Sequence, residues 1–137
     1  MKYLTSVGRI LFALPFGILG LNHFLMKSYY LGMVSTFIPG GGYTIIITGL
    51  ALIAACISII AKKYIQLSCL LLALLLFIFI LTIHVPGLFD PTEVTIVSMH
   101  TKFSTLALIE LLKDTSLMGG ALMIAGIYRE VKPVTEA

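Results

Sequence analysis

Long runs of apolar residues, broken by short polar stretches, dominate the chain. The most apolar run extends from Leu67 to Val85 and contains no Asp, Glu, Lys or Arg. A helix needs about 20 such residues to cross the hydrocarbon core of a bilayer. The pattern therefore predicts a membrane-spanning helix here, with lipid rather than water around much of the protein.

The same pattern predicts an all-α fold, an integral-membrane four-helix bundle in a single domain. Its helices are expected at about 7–26, 43–61, 65–85 and 103–128. The fourth helix is the least apolar, because it contains Glu110, Lys113 and Asp114. If residues 103–128 form one continuous helix, it rises about 39 Å, which is enough to cross the hydrocarbon core of a bilayer. The alternative is a surface helix followed by a short, tilted span.

Composition supports a membrane protein and excludes several other classes. The chain is 59% hydrophobic and 11% charged, whereas soluble domains carry about 25% charged residues. Its net charge of +3 is spread along the sequence, so nucleic-acid binding is not expected. Cys56 and Cys69 lie in apolar segments without metal-finger spacing and are interpreted as hydrophobic fillers. The first apolar run lacks a small-residue cleavage site and is interpreted as a retained helix.

The distribution of Lys and Arg predicts the topology. In a four-helix arrangement six of these residues fall on one side, namely Lys2, Arg9, Lys62, Lys63, Arg129 and Lys132. Because basic residues favour the cytoplasmic side, both termini are expected in the cytoplasm. Arg9 is then expected to extend from the first helix toward the lipid head groups.

On the side of the bundle opposite the termini, two connections between helices are predicted as loops. The first, Lys27–Gly42, contains the turn-forming sequence PGGG, which is interpreted as a flexible break before the second helix. Tyr29, Tyr30, Phe37 and Tyr43 cluster around it and suit the membrane interface. The second, Pro86–Lys102, is polar. We expect Asp90, Glu93 and His100 in it to cover the outer end of the bundle.

Polar side chains of three predicted helices fall at similar depth in the outer part of the membrane. They are Asn22, His23, His84, Glu110, Lys113 and Asp114. A charge at that depth costs a few kcal/mol unless it is paired or hydrated. Lys113 is therefore expected to bind Glu110, three residues earlier on the same helix face. The histidines are expected to take the remaining carboxylate or each other.

Three interpretations of this polar cluster remain open. Histidines near helix ends are often only part of the membrane interface. Alternatively, the cluster forms a pocket for a lipid head group, a proton path or a quinone site, because histidine exchanges protons readily near neutrality. A metal site is the least favoured, since the histidines lack local ligand spacing, and no metal ligand is assigned.

Four segments together resemble the DoxX family of small bacterial membrane proteins. They are RILFALPFGILGLNHFL, TGLALIAACISII, IHVPGLFD and LLKDTSLMGGALMIAG. In order and spacing they are similar to the family's arginine-to-histidine first helix, glycine-led second helix, histidine-containing exit from the third and glycine-rich fourth. The resemblance implies a four-helix bundle in the bacterial inner (cytoplasmic) membrane.

The resemblance also implies a function. The protein is expected to be an accessory subunit of a larger membrane assembly, such as a redox complex, with other membrane-protein subunits and the lipid bilayer as partners. Its outer-side cluster would then hold a quinone or a lipid head group. The alternatives are a quinone-linked oxidoreductase that uses His23, His84 and Lys113, or a structural, chaperone-like membrane protein.

Overall fold

The computed structural model describes residues 2–33, 40–91, 93–96 and 99–129. Helices account for most of this part of the chain. They are α1 (Lys2–Leu25), α2 (Lys27–Met33), α3 (Gly42–Ala61), α4 (Ile65–Phe79), a π-helical segment (Ile80–His84), the short α5 (Val85–Gly87) and α6 (Phe103–Ile127). Two short antiparallel strands, β1 (Glu93–Ile96) and β2 (Met99–Lys102), pair in register from Glu93↔Lys102 to Ile96↔Met99.

Three helices are long and apolar enough to cross a membrane. They cover Tyr3–Leu25, Gly42–Ala61 and Ile65–Gly87, the last of which joins α4, the π-helical segment and α5. Helix α6 has 25 residues, so it rises about 38 Å. It falls outside this group because Glu110, Lys113 and Asp114 lie within it. The three apolar helices indicate a membrane protein.

The exposed surface of these helices has the composition expected in lipid. Most of their large aliphatic side chains point outward, with Leu4, Ile18, Ile47 and Leu71 each more than half exposed. The buried core is comparatively small and includes Phe16, which is almost completely enclosed. Soluble proteins rarely leave such large contiguous apolar areas in water. The arrangement is consistent with hydrocarbon as the surrounding solvent.

Close contacts between small residues hold α1 against α3, its main packing partner. A Cβ atom added at Gly20 would lie 2.7 Å from the carbonyl oxygen of Gly49, and one added at Gly49 would lie 3.0 Å from the oxygen of Gly20. Without a hydrophobic drive between helices in lipid, such close backbone approach is a main source of attraction. Helix α6 packs mainly against α4, and its Gly120 admits the ring of Phe12.

The two predicted loops are partly ordered into secondary structure. Lys27–Met33 forms α2 rather than loop, whereas Gly40 and Gly41 form a turn with positive φ before α3 begins at Gly42. Residues 34–39, with Phe37 and Pro39, lie outside the described residues. The second loop begins later than predicted, because Pro86 lies in the last helical turn. The hairpin of β1 and β2 follows, and the side chains of Glu93 and His100 within it are not described. The tail from residue 130 onward also lies outside the described part.

Arg9 does not extend to the head groups as predicted. Its side chain is buried, with the residue only 5% exposed, and its Nη1 donates hydrogen bonds to the carbonyl oxygens of Ile59 and, at 2.9 Å, of Ile60. These carbonyls belong to the last turn of α3, where helical C=O groups lack partners within the helix and the helix dipole is negative. The guanidinium therefore caps α3 from the neighbouring helix.

Candidate polar ligand cavity

The cavity of interest has a volume of about 340 Å³ and lies between α1, α3, α4 and α6. Phe16, Leu52, Leu76 and Phe79 form part of its apolar wall. Small-molecule sites usually combine such walls with a few placed polar groups. The cavity has the volume and lining expected for a ring-sized amphipathic molecule.

One side of the cavity is distinctly polar. The side chains that line it there come from α1, α2, α3, the π-helical segment and α6, and they are His23, Tyr30, Thr44, Thr48, His84, Glu110, Lys113 and Asp114. Five elements thus converge on a single polar wall. This convergence needs the tertiary fold, since each helix contributes only one to three of the residues.

A hydrogen-bonded pair, His84 with Asp114, forms the most buried part of this wall. The Nε2 atom of His84 lies 2.9 Å from Oδ2 of Asp114, and the two residues are 8% and 4% exposed. Because an ionised carboxylate can only accept, Nε2 donates. The contact joins the π-helical segment to α6 and orients the imidazole ring beside the cavity.

Lys113 and Glu110 form an ion pair at the outer edge of the same cluster. The Lys113 ammonium donates to Oε2 of Glu110 and lies 3.5 Å from Oδ1 of Asp114. The first contact is the i,i+3 pair that the spacing predicts. Both side chains are about 40% exposed, whereas Asp114 is enclosed. The cluster thus extends from the interior of the bundle to its surface.

His23 faces the cavity from α1 and has a partner on each side. Its Nδ1 atom lies 2.7 Å from the carbonyl oxygen of Leu19, and its ring stacks on Tyr30 with centroids 4.0 Å apart and an angle of 16°. The backbone of Gly49 also passes close to its Cβ atom. These contacts hold His23 in one orientation. Tyr30 therefore lines the cavity, in addition to lying near the predicted interface.

The π-helical segment sets the position of His84. It covers Ile80–His84, and Pro86 follows two residues after its end. Proline has no N–H to donate, and its ring crowds the carbonyl four residues earlier. A wider turn relieves that crowding, and such single π turns are frequent at functional sites. The widened turn lies where α6 approaches, with His84 against Asp114.

The structure brings five of the six sequence-predicted residues to this cavity. His23, His84, Glu110, Lys113 and Asp114 all line it. Asn22 does not; it is half-buried on another face of α1. Adjacent residues on a helix point about 100° apart, so the side chain next to a cavity-lining residue normally faces elsewhere. Of the two histidines, His84 takes the remaining carboxylate, Asp114, as expected, whereas His23 contacts Leu19 and Tyr30 instead.

Three of these groups lie close enough to share a cation. One ligand atom each from His84, Glu110 and Asp114 falls within 4.8 Å of the others. However, the ammonium of Lys113 already lies between the two carboxylates. A metal ion would have to displace that lysine and overcome its repulsion. The geometry therefore favours an ion-pair cluster.

Sequence reasoning missed three polar residues of the cavity wall. Tyr30 was interpreted only as an interface residue, and Thr44 and Thr48 were not singled out. The two threonines are four residues apart in the apolar helix α3, so they lie on one face. That spacing is a detectable signal. Thr48 is buried, as a polar residue facing the bundle interior should be.

Comparisons with protein-family models, with curated proteins and with solved structures found no match for this chain.

Proposed function

We propose that this protein is an accessory subunit of a larger redox assembly in the bacterial inner membrane, and that its cavity binds the head group of a quinone. The resemblance of four segments to the DoxX family supports the membrane and the partners. In this proposal α6 is a fourth crossing, both termini are cytoplasmic, and the cavity opens in the outer half of the bilayer.

The observation that carries the proposal is that His23, His84 and Asp114, from three different elements, line one largely apolar cavity. A quinone consists of a flat apolar ring with two polar oxygens at opposite edges, so it needs an apolar slot with separated hydrogen-bonding groups. Phe16 and Phe79 contribute aromatic walls. The imidazoles of His23 and His84 supply ring nitrogens that can form hydrogen bonds with the oxygens of such a ligand.

The direct test is to identify what the protein retains when it is purified from membranes in mild detergent. We expect close to one quinone per chain, measured by extraction and chromatography. Asp114→Ala should lose most of it. The matched control is Thr115→Ala, because the Thr115 hydroxyl is exposed and donates a hydrogen bond to the backbone carbonyl of Leu111 in its own helix. Quinone no higher than in bulk lipid, for wild type and control alike, would refute the proposal.

The hydrogen bond between His84 and Asp114 also favours a second candidate, a quinone-linked oxidoreductase. A carboxylate that orients an imidazole is a common arrangement for proton transfer. The two functions differ in where electrons are exchanged. An accessory subunit should copurify with a redox partner and show no turnover alone, whereas the enzyme should oxidise a donor and reduce quinone as the isolated chain. A chain that retains no quinone but raises the yield of an assembled partner would indicate the chaperone-like alternative.

A further inference from the structure

The position of the proton on His23 is fixed by its hydrogen bond to the backbone. A carbonyl oxygen can only accept, so the Nδ1 atom of His23 must carry the hydrogen that it donates to Leu19. In the neutral imidazole, the other nitrogen, Nε2, is then an acceptor. His23 in its neutral form therefore offers a ligand a lone pair and no N–H.

The proton on His84 is fixed in the same way by a side chain. The Nε2 atom of His84 donates to the carboxylate of Asp114 over 2.9 Å. The remaining nitrogen of the neutral ring, Nδ1, is consequently an acceptor. Two imidazoles on different helices thus present the same kind of group, a hydrogen-bond acceptor, to a molecule in the cavity.

The charges of the cluster also favour a ligand that donates hydrogen bonds. Glu110 and Asp114 contribute two negative charges and Lys113 one positive charge, so the wall carries a net charge of −1 when both imidazoles are neutral. The ammonium of Lys113 donates to Glu110 and lies 3.5 Å from Asp114, so it faces the carboxylates. A wall with a negative charge and two acceptors attracts O–H groups and repels carbonyl oxygens. Hydroxyl groups, as in Thr48, can donate or accept and do not alter this preference.

We infer that the cavity selects the reduced form of its ligand, a quinol, over the oxidised quinone. The inference rests on the proposed function and adds to it the oxidation state that is bound. A quinol has two hydroxyl groups that donate, which match the two imidazole acceptors. A quinone has two carbonyl oxygens that only accept, and these would face acceptors on the protein. An unmatched polar group in a water-poor site is costly.

The test compares three small probes on the full-length protein in lipid nanodiscs under anaerobic conditions. They are a short-chain ubiquinone, the corresponding quinol, and the dimethyl ether of that quinol, with affinities measured by calorimetry. The ether keeps the ring and both oxygens of the quinol but cannot donate hydrogen bonds. We expect the quinol to bind at least about tenfold more tightly than the other two, a difference of about 1.4 kcal/mol.

Variants assign the preference to particular residues. His23→Leu and His84→Leu should each lower the quinol preference to about threefold or less, while the weaker affinity for the quinone changes little. Asn22→Ala, next to His23 but outside the cavity lining, should keep the wild-type ratio. If a histidine variant does not fold, the comparison of quinol with ether on the wild-type protein still decides the question.

The outcomes separate this inference from the proposed function. If none of the three probes binds, the proposed function itself fails. If quinone binds as tightly as quinol or more tightly, the function stands and the selectivity for the reduced form is wrong. If the ether binds as tightly as the quinol, hydrogen-bond donation is not the basis of the selection, and the inference is overturned.

Discussion

The two ends of the bundle each bury an ionisable group, and they satisfy it in different ways. At one end, which we call the Arg9 end, a guanidinium binds the last carbonyls of α3 beside fully buried residues such as Ala13 and Ile59. At the other, the cavity end, charged side chains of α6 pair with one another and with His84 around an open space. Backbone partners cannot move away, whereas side-chain partners can rearrange around a ligand. The comparison indicates that the Arg9 end stabilises the fold and the cavity end binds.

The largest effect on stability is expected from Arg9→Ala. This substitution removes hydrogen bonds from a charged group to two carbonyls of α3, and bonds of this type contribute about 1.5–3 kcal/mol each. We expect a loss of about 3 kcal/mol in the free energy of unfolding, measured by titration with a denaturing detergent. Lys62→Ala, an exposed basic residue in the turn after α3, is the control and should change little. An Arg9→Ala protein as stable as wild type would remove the structural role assigned to this end.

The second-largest effect on stability is expected where α1 and α3 cross, between the Arg9 end and the cavity end. A methyl group at Gly20 would meet the carbonyl oxygen of Gly49 at 2.7 Å, so Gly20→Ala should force the helices apart. We expect a destabilisation of about 1–3 kcal/mol. At Gly119 nothing lies within 4 Å of the added atom.

Gly119→Ala is therefore the matched control for Gly20→Ala. Alanine is the better helix former by about 1 kcal/mol, so the control should be neutral or slightly stabilising under the same detergent titration. Equal destabilisation by both substitutions would show that close backbone approach at Gly20 is unimportant.

A smaller effect is expected at the cavity end from Lys113→Met. The substitution leaves Glu110 and Asp114 without their shared cation, and Asp114 is buried, where an unpaired charge is unfavourable. We expect a loss of about 1–2 kcal/mol. The double variant Lys113→Met with Glu110→Gln should recover much of it, because one of the two unpaired charges is then removed. A double-mutant cycle measures this coupling, and strictly additive effects would contradict the pairing.

The smallest effect is expected from Tyr30→Leu, which removes the ring stacked on His23. Aromatic pairs contribute about 0.5–1.5 kcal/mol beyond their buried area, and Tyr30→Phe should retain most of that contact. Stability should therefore change little, while the orientation of His23 loosens. The measurement is the ¹⁵N spectrum of the imidazole: Tyr30→Leu should broaden or shift the His23 signals, and Tyr30→Phe should leave them near wild type. Identical spectra for all three proteins would show that stacking does not position His23.

The sequence predicts much of the cavity end because its signals are local. Glu110, Lys113 and Asp114 fall within about one turn of a helix, and polar residues at membrane depth are rare enough to draw attention. The helix-spacing rule then gives the Lys113–Glu110 pair directly. Hydropathy also locates the three apolar helices without knowledge of any contact between them.

The remaining features depend on how the helices are rotated and packed. The contact of Arg9 with Ile59 joins residues 50 positions apart, and no spacing rule reaches that far. Tyr30 enters the cavity because α2 folds back toward α1, in a segment where turn residues predicted a loop. The π turn before Pro86 has no distinct sequence signature. The sequence therefore predicts that a histidine takes the carboxylate left by the Lys113–Glu110 pair, but it does not decide between His23 and His84; the packing of the π turn against α6 selects His84 for Asp114.

The most direct test of the division between the two ends is the location of a bound quinone. A photoactivatable quinol analogue, crosslinked in native membranes and mapped by mass spectrometry, should label residues of the cavity wall such as Ile83, Leu106 and Leu117. Excess unlabelled quinol should suppress this labelling. Labelling around Arg9 and Ile59, or equally along the lipid-facing surface of every helix, would contradict a ligand site at the cavity end.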